Sequence, residues 1–187
     1  MKVIQLYKSE DNLIKRAIQQ NRDAQRVLYD RYVSKMLGVC RQYIRDLHYA
    51  EDCMISGFAS VFKNLPSYRN EGSFEGWIRR IMIRECISFL RAQKNIEFSV
   101  DEFTPSETPF VLPENSLSMN EIQELIDKLP DGYRIVFNMF AIEGYKHAEI
   151  AEMLSIDVNT SKSQLFKARK YLQKNYAQLN VLQNGTS

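Results

Sequence analysis

Residues 146–171, KHAEIAEMLSIDVNTSKSQLFKARKY, decide how this chain is read. They predict two helices joined by a tight turn. The first spans about His147 to Leu154, where Ile150, Ala151 and Leu154 recur at helical spacing and form one apolar face. Ala151 is small enough to let a second helix cross closely. Ser155-Ile156-Asp157 breaks the period, with Ile156 an apolar plug between two polar residues. Asp157 suits the cap of the next helix, because its carboxylate accepts from the open N–H groups of the following turn. The second helix runs from Val158 to about Tyr176. Ser161, Leu165, Ala168 and Leu172 fall on one face and should pack inward; Lys162, Ser163, Phe166, Lys167 and Lys170 fall on the other. From Val158 to Lys174 there are five Lys/Arg and no Asp/Glu.

A helix with a dry back and a basic, hydroxyl-bearing front suits a DNA major groove. Lysines hold phosphates, polar side chains reach base edges, and Phe166 can lie against a thymine methyl. The bland alternative is a helical hairpin with a solvated basic face. The join weighs against it: a helix, a short turn with one apolar plug, a capped helix and a small residue at the crossing are the parts of a helix-turn-helix.

The rest of the composition sets bounds. A chain of 187 residues fits one ordinary domain or two small ones. A hydrophobic fraction of 44% suffices for packed cores, and only seven glycines and five prolines point to a mostly helical chain. The net charge of +2 says nothing by itself, but its distribution does: eight acids and no base lie between Asn95 and Asp127. Three scattered cysteines, Cys40, Cys53 and Cys86, make no disulfide framework, and none forms the C-x-x-C pair of a zinc site. Reduced, semi-buried thiols in a cytoplasmic protein are expected. MKVIQLYKSEDN lacks the apolar core of a secretory signal, and no apolar run is long enough for membrane insertion.

Four helices are expected over the first domain, residues 8–94. One runs from Asp11 to Gln20 with Leu13, Ile14, Ala17 and Ile18 apolar; the next, Arg22 to about Ile44, carries Val27, Leu28, Tyr32, Met36 and Val39. The third, Tyr49 to Leu65, ends at Pro66. Glu51 and Asp52 near its start suit the helix dipole, each at ~0.3–1 kcal/mol when exposed. Met54, Ile55 and Phe58 spread over more of its circumference than one buried stripe needs, and with those acids could form a docking surface for a partner helix. A polar loop, Ser67 to Gly72, follows, and Ser73 caps a fourth helix that reaches about Ala92. Around it, Tyr68, Arg69, Phe74, Trp77, Arg79, Arg80 and Arg84 interleave aromatics with arginines. Such side chains bind phosphates and stack on unpaired bases, at ~1–3 kcal/mol per stack. Core packing of Phe74 and Trp77, and a solvated face for the arginines, are the competing readings.

Residues 95–117 break every period; Pro105, Pro109 and Pro113 among acids, Ser and Thr spell a flexible acidic linker. Its acids keep it soluble or, in the sharper reading, mimic nucleic acid and hold the flanking basic faces apart. Residues 118–178 then form a four-helix domain: Glu121 to Leu129, ended by Pro130; Asp131 to Ile142, with Tyr133, Val136, Phe137 and Phe140 apolar; and the helix-turn-helix. Asn180 to Ser187 is expected to fray. The fold class is therefore all-α, an N-terminal helical bundle and a C-terminal four-helix domain.

These motifs, in this order, resemble the bacterial sigma-70 family, specifically the extracytoplasmic-function (ECF) sigma factors of RNA polymerase. AQRVLYDRY resembles the opening helix of the family's region 2, AEDCMISGFASVFKNL its polymerase-binding helix, and YRNEGSFEGWIRRIMIRECISFLR its promoter-melting segment. LPDGYRIVFNMFAIEGYKHAEIAEMLSIDVNTSKSQLFKARKYL follows region 4 almost position for position. The resemblance implies roles. Glu51, Asp52, Ile55 and Ser56 would meet the coiled coil of the largest polymerase subunit, with the flap region a second contact of core polymerase. Ser67, Tyr68, Arg69, Asn70 and Glu71, with Trp77, Arg80 and Arg84, would capture melted −10 bases. Asn159, Thr160, Lys162, Ser163, Gln164, Phe166, Lys167 and Lys170 would read duplex promoter DNA at the −35 element. An anti-sigma factor is a possible further partner; no catalytic residue, cofactor or metal is implied.

The chain departs from the family pattern at several of these positions. Ile55-Ser56 replaces the common Gln-Glu, so an apolar polymerase contact is expected there. Arg84 replaces a frequent Asn. Ser155, Asn159, Ser161 and Gln164 replace the commoner Gly, Gly, Val and Arg, and a glutamine favours adenine where arginine favours guanine. The alternative function is a stand-alone helix-turn-helix regulator that binds duplex DNA unaided, its first domain a sensor or dimerisation unit. An enzyme such as a small nuclease finds little support: only His48 and His147 are available, with no metal-spaced cluster or Gly-rich phosphate loop, and His147 is expected at the surface.

Overall fold

The computed structural model describes residues 9–93 and 119–184, and all regular structure among them is helical. The chain divides into two compact units, residues 1–89 and 90–187. The acidic segment 95–117 lies outside the described residues.

The first unit is built from α1 (Glu10–Ile18), α2 (Arg22–Tyr43), α3 (Leu47–Asn64) and α4 (Phe74–Ala92). Local chemistry sets the joins. Gln20 takes a left-handed φ of 61° after α1, and the Asn21 carboxamide then caps α2 by accepting from Ala24 N at 2.9 Å. Leu28, Tyr32, Met36, Val39, Cys40 and Tyr43 make the buried stripe of α2, while Val27, expected inside, faces solvent. Asp46 caps α3 through Tyr49 N at 3.1 Å, two residues earlier than expected. Glu51 and Asp52 therefore lie beyond the first turn, and the helix dipole does not account for them. A short 3₁₀ turn, Leu65–Ser67, continues α3. Ser73 caps α4 as expected, its hydroxyl accepting from Gly76 N at 3.1 Å.

Gly57 sets how closely α3 and α4 approach. A Cβ placed there would lie 2.3 Å from Sδ of the fully buried Met82. The absent methyl is thus the space that the methionine fills.

The second unit holds α5 (Met119–Asp127), α6 (Asp131–Phe137), α7 (His147–Leu154) and α8 (Val158–Asn184). The single helix expected over 131–142 is two pieces, because α6 passes into a π turn at Asn138–Ile142. Gly144, at φ 75°, turns the chain toward α7. α8 continues beyond Tyr176, its expected end, to Asn184. Leu125, Ile126 and Leu129 bury against Ala168, Leu172 and Tyr176, with Tyr133, Phe137 and Tyr171 at the margin. Each such large apolar side chain contributes roughly 1.5–3 kcal/mol on burial. Arg134 is also inside, 2% exposed, with Nη2 3.1 Å from Asp131 Oδ1.

Gly57→Ala tests the close approach. Met82 must leave its rotamer or α3 must shift, and overpacking of this kind costs about 1–3 kcal/mol. Urea unfolding should show that loss in the stability of the first unit.

Candidate nucleic-acid interface

In the second unit, the turn between α7 and α8 fixes which residues face outward. Glu149 reaches back to Lys146 N at 2.7 Å and closes the start of α7. Ser155 ends α7 in the left-handed conformation, φ 55° and ψ 47°. Ile156 N then donates to Ala151 O at 3.0 Å, satisfying a carbonyl of the last turn. Asp157 caps α8, its carboxylate accepting from Asn159 N at 2.7 Å. Ile150, Ala151 and Leu154 are buried, as their spacing predicts.

His147 is not the surface residue expected. Its Nδ1 lies 2.9 Å from the Ser161 hydroxyl, bridging the start of α7 to the inner face of α8. Its ring stacks on Phe140, centroids 4.6 Å apart, and the Arg169 guanidinium lies 5.8 Å from the same Phe140 ring. Burial, and then the nearby Lys162 and Arg169, hold the His147 pKa below the ordinary histidine value.

The outer face of α8 differs from its sequence reading in two places. Asn159, Lys162 and Lys170 are exposed, and Thr160, Phe166 and Lys167 are half-buried. Ser163 is only 2% exposed and Gln164 is enclosed, so neither reaches a base edge from this position. Gln164 lies three residues after Ser161 and four before Ala168, on the inward stripe itself. Ser163 adjoins that stripe and is covered with it. The remaining arc, Asn159, Lys162, Phe166 and Lys170, keeps helical spacing along one side.

In the first unit, Tyr68 organises the loop before α4. Its hydroxyl lies 3.0 Å from Gly72 O and 3.2 Å from Asn70 Oδ1. Its ring meets Phe74 edge-on at 5.1 Å and Trp77 at 5.2 Å. Burial, with Glu10 and Asp11 nearby, raises its pKa. Asn70 and Gly72 both take positive φ, 58° and 98°, which bends the loop around the ring. Ser67, Arg69, Asn70 and Glu71 are exposed. Phe74 belongs to the core, whereas Trp77 is half-buried. Arg80 and Arg84 are exposed three and seven residues beyond Trp77, so the indole edge and both guanidinium groups share a face.

On α3 the buried stripe is Ala50, Cys53, Met54, Gly57, Phe58 and Val61. The apolar strip expected over Met54, Ile55 and Phe58 thus reduces to Ile55, which is 58% exposed. Asp52 and Ser56 beside it are exposed and Glu51 is half-buried. Exposed Leu47 lies two turns before Ile55 on the same face.

A helix-turn-helix with a basic outer arc, joined in one chain to a bundle with an aromatic-arginine face, defines a two-region DNA-reading protein. The sequence comparisons agree with that division. Residues 28–96 match Sigma-70 region 2, and residues 119–172 match Sigma-70, region 4. The chain is 31% identical over 179 residues to the ECF RNA polymerase sigma factor SigW of Bacillus subtilis, across 87% of this chain and 96% of that one. It is 23% identical over 178 residues to the ECF RNA polymerase sigma-E factor of Haemophilus influenzae, across 88% and 94%. Its fold is similar to that of the sigma factor RpoE of Bartonella quintana, solved with the anti-sigma factor NepR, at a TM-score of 0.49 and 15% identity over 80% of this chain and 94% of that one. The chain belongs to the sigma-70 family, among the ECF RNA polymerase sigma factors. It is a promoter-specificity factor for RNA polymerase.

The His147 environment gives a pH prediction. The unfolded chain binds the His147 proton more readily than the folded one, so stability is full above the ordinary histidine pKa and declines as pH falls through it. Thermal unfolding of the second unit should therefore show a midpoint that drops between about pH 7 and 5, and His147→Gln should flatten that drop.

Proposed function

We propose that this chain docks on core polymerase through the outer face of α3, reads the −35 element with α8, and holds melted −10 bases against the Tyr68 loop and α4. It makes and breaks no bond itself; polymerase does the chemistry. The site is the cytoplasm, where transcription takes place. An anti-sigma factor that masks these faces until a signal arrives is the regulatory partner the family reading adds.

The observation that carries the proposal is the outer face of α3. Ile55 stands in solvent between Glu51, Asp52 and Ser56. It suits burial against another protein, with the acids setting register with basic partners.

The division of labour among the other residues follows from their positions. Lys162, Lys167 and Lys170 meet phosphates along α8, and Phe166 reaches the groove between them. Asn159 and Thr160 face the DNA from the first turn of α8, near the positive end of the helix dipole. Trp77 offers a stacking surface for an extruded base, with Arg80 and Arg84 on the adjoining phosphates. Tyr68 and the exposed Ser67, Arg69, Asn70 and Glu71 form the wall that a flipped base enters. Unpairing costs a few kcal/mol per base, which stacking and pocket contacts offset.

Run-off transcription with native core polymerase tests the reading. Transcripts from a matching promoter should require the chain, and Ile55→Asp should abolish both transcription and co-purification of core while leaving the helical circular-dichroism spectrum intact. Core that still co-purifies with the variant would remove α3 from the docking role. Lys167→Ala should weaken −35 duplex binding roughly uniformly across sequences. With four or five basic side chains of the second unit on phosphates, the parent protein should lose affinity with log salt at a slope of about −4, and the variant should lose about one from that slope.

A further inference from the structure

The three cysteines lie far apart in sequence, on α2, α3 and α4, and all three are buried as free thiols. Interaction with Cys40 and Cys53, and then burial, push the Cys86 thiol pKa up. Buried cysteine often serves only as a small apolar side chain. Here three helices each contribute one, and Cys53 and Cys86 come together where α3 packs on α4.

The packing of α3 on α4 explains the meeting. Tyr49 contacts Phe89, ring centroids 5.3 Å apart, and Gly57 lies against Met82. Residue numbers rise along α3 as they fall along α4, so the helices run antiparallel. Cys53 lies four residues from both Tyr49 and Gly57. Cys86 lies between Met82 and Phe89. The two cysteines therefore face each other between two direct contacts. The Ser60 hydroxyl donates to Glu85 Oε1 at 2.7 Å across the same pair of helices.

We propose that Cys53 and Cys86 form a reversible disulfide when the protein meets a small hydroperoxide, which makes the first unit a thiol-based oxidant sensor. Cys53 is the attacking group. It is 5% exposed, whereas Cys40 and Cys86 are at 0%, so an oxidant entering from the surface reaches it first. The hydrogen bond from Cys86 also lowers the Cys53 pKa, against burial and the carboxylates of Glu85 and Asp52. The thiolate is the nucleophilic form.

The chemistry closes without a further reagent. The Cys53 thiolate attacks one peroxide oxygen and the O–O bond breaks. The departing alkoxide or hydroxide takes a proton from solvent, and Cys53 becomes a sulfenic acid. The Cys86 sulfur then attacks the Cys53 sulfur, and the S–O bond breaks. The hydroxide leaves with the Cys86 proton as water. Two thiols lose two electrons; the hydroperoxide is reduced to an alcohol, or to water, and one further water.

An S–S bond is shorter than the contact it replaces, so it draws α3 against α4. α3 carries Glu51, Asp52, Ile55 and Ser56, and α4 carries Trp77, Arg80 and Arg84. Any effect on transcription rests on the roles proposed above for those faces; formation of the disulfide does not.

The test uses the purified full chain, reduced and then exposed to hydrogen peroxide or tert-butyl hydroperoxide. Free thiols are counted after unfolding, and disulfide-linked peptides are identified by mass spectrometry. The expected result is loss of two of the three thiols per chain, a linked peptide pair containing Cys53 and Cys86, and full recovery with dithiothreitol. Cys40→Ala should still give that pair, and Cys86→Ala should instead leave Cys53 as a trappable sulfenic acid. Because a variant could misfold, the wild-type result decides by itself. Three thiols still free after peroxide, a pair that runs through Cys40, or linkage only between separate chains would each overturn the proposal.

Discussion

The crossing of α7 and α8 is held by a few contacts on which the DNA-facing surface depends. Ser155 adopts a conformation that L-residues avoid at a cost of roughly 1–2 kcal/mol, and Ile156 N and the Asp157 carboxylate satisfy the helix ends on either side of it. The His147–Ser161 bond then ties the first turn of α7 to the inner stripe of α8. Because α8 is one continuous helix, fixing its rotation at Asp157 and Ser161 sets the facing of the residues that follow as far as Tyr176. Lys162 and Lys170 point out, and Gln164 and Ala168 point in. A different rotation would expose another set of groups to DNA.

The first unit works by subtraction in the same way. Its functional faces are what the core leaves over. Cys53, Met54, Gly57 and Phe58 are needed inside, so Asp52, Ile55 and Ser56 remain outside on α3. Phe74, Ile78 and Met82 are needed inside, so Trp77, Arg80 and Arg84 lie toward the surface on α4. The same packing that creates these faces brings Cys53 to Cys86. The promoter-reading, polymerase-docking and oxidant-sensing roles proposed above thus share one pair of helices, and a change in their spacing would reach all three.

How much of this was readable beforehand depended on the range of the interaction. Caps and turns act over three or four residues, so Asp157, Ser73 and the bounds of α7 could be read from the chain itself. Hydrophobic period located most of the buried stripes, and the order of the motifs pointed to the family. Tertiary facts were different. The burial of Gln164 depends on the stripe Ser161–Ala168, which tolerates a polar side chain where apolar spacing gave no warning. His147 became a clamp because Ser161 stands opposite, and that pairing spans two helices. Arg134 and the π turn after α6 carry no periodic signal. Three isolated cysteines gave no hint of contact, since their meeting needs the antiparallel register of α3 and α4.

On the proposed function, the two DNA-reading units act on one promoter only when carried by polymerase. Permanganate footprinting measures this directly, because it marks unpaired thymines. Reactive thymines at the −10 element, together with protection at −35, are expected when both the chain and core polymerase are present, and no reactive thymines with either alone. Protection of the −35 duplex by the chain alone, unchanged by polymerase and without reactive −10 thymines, would contradict it.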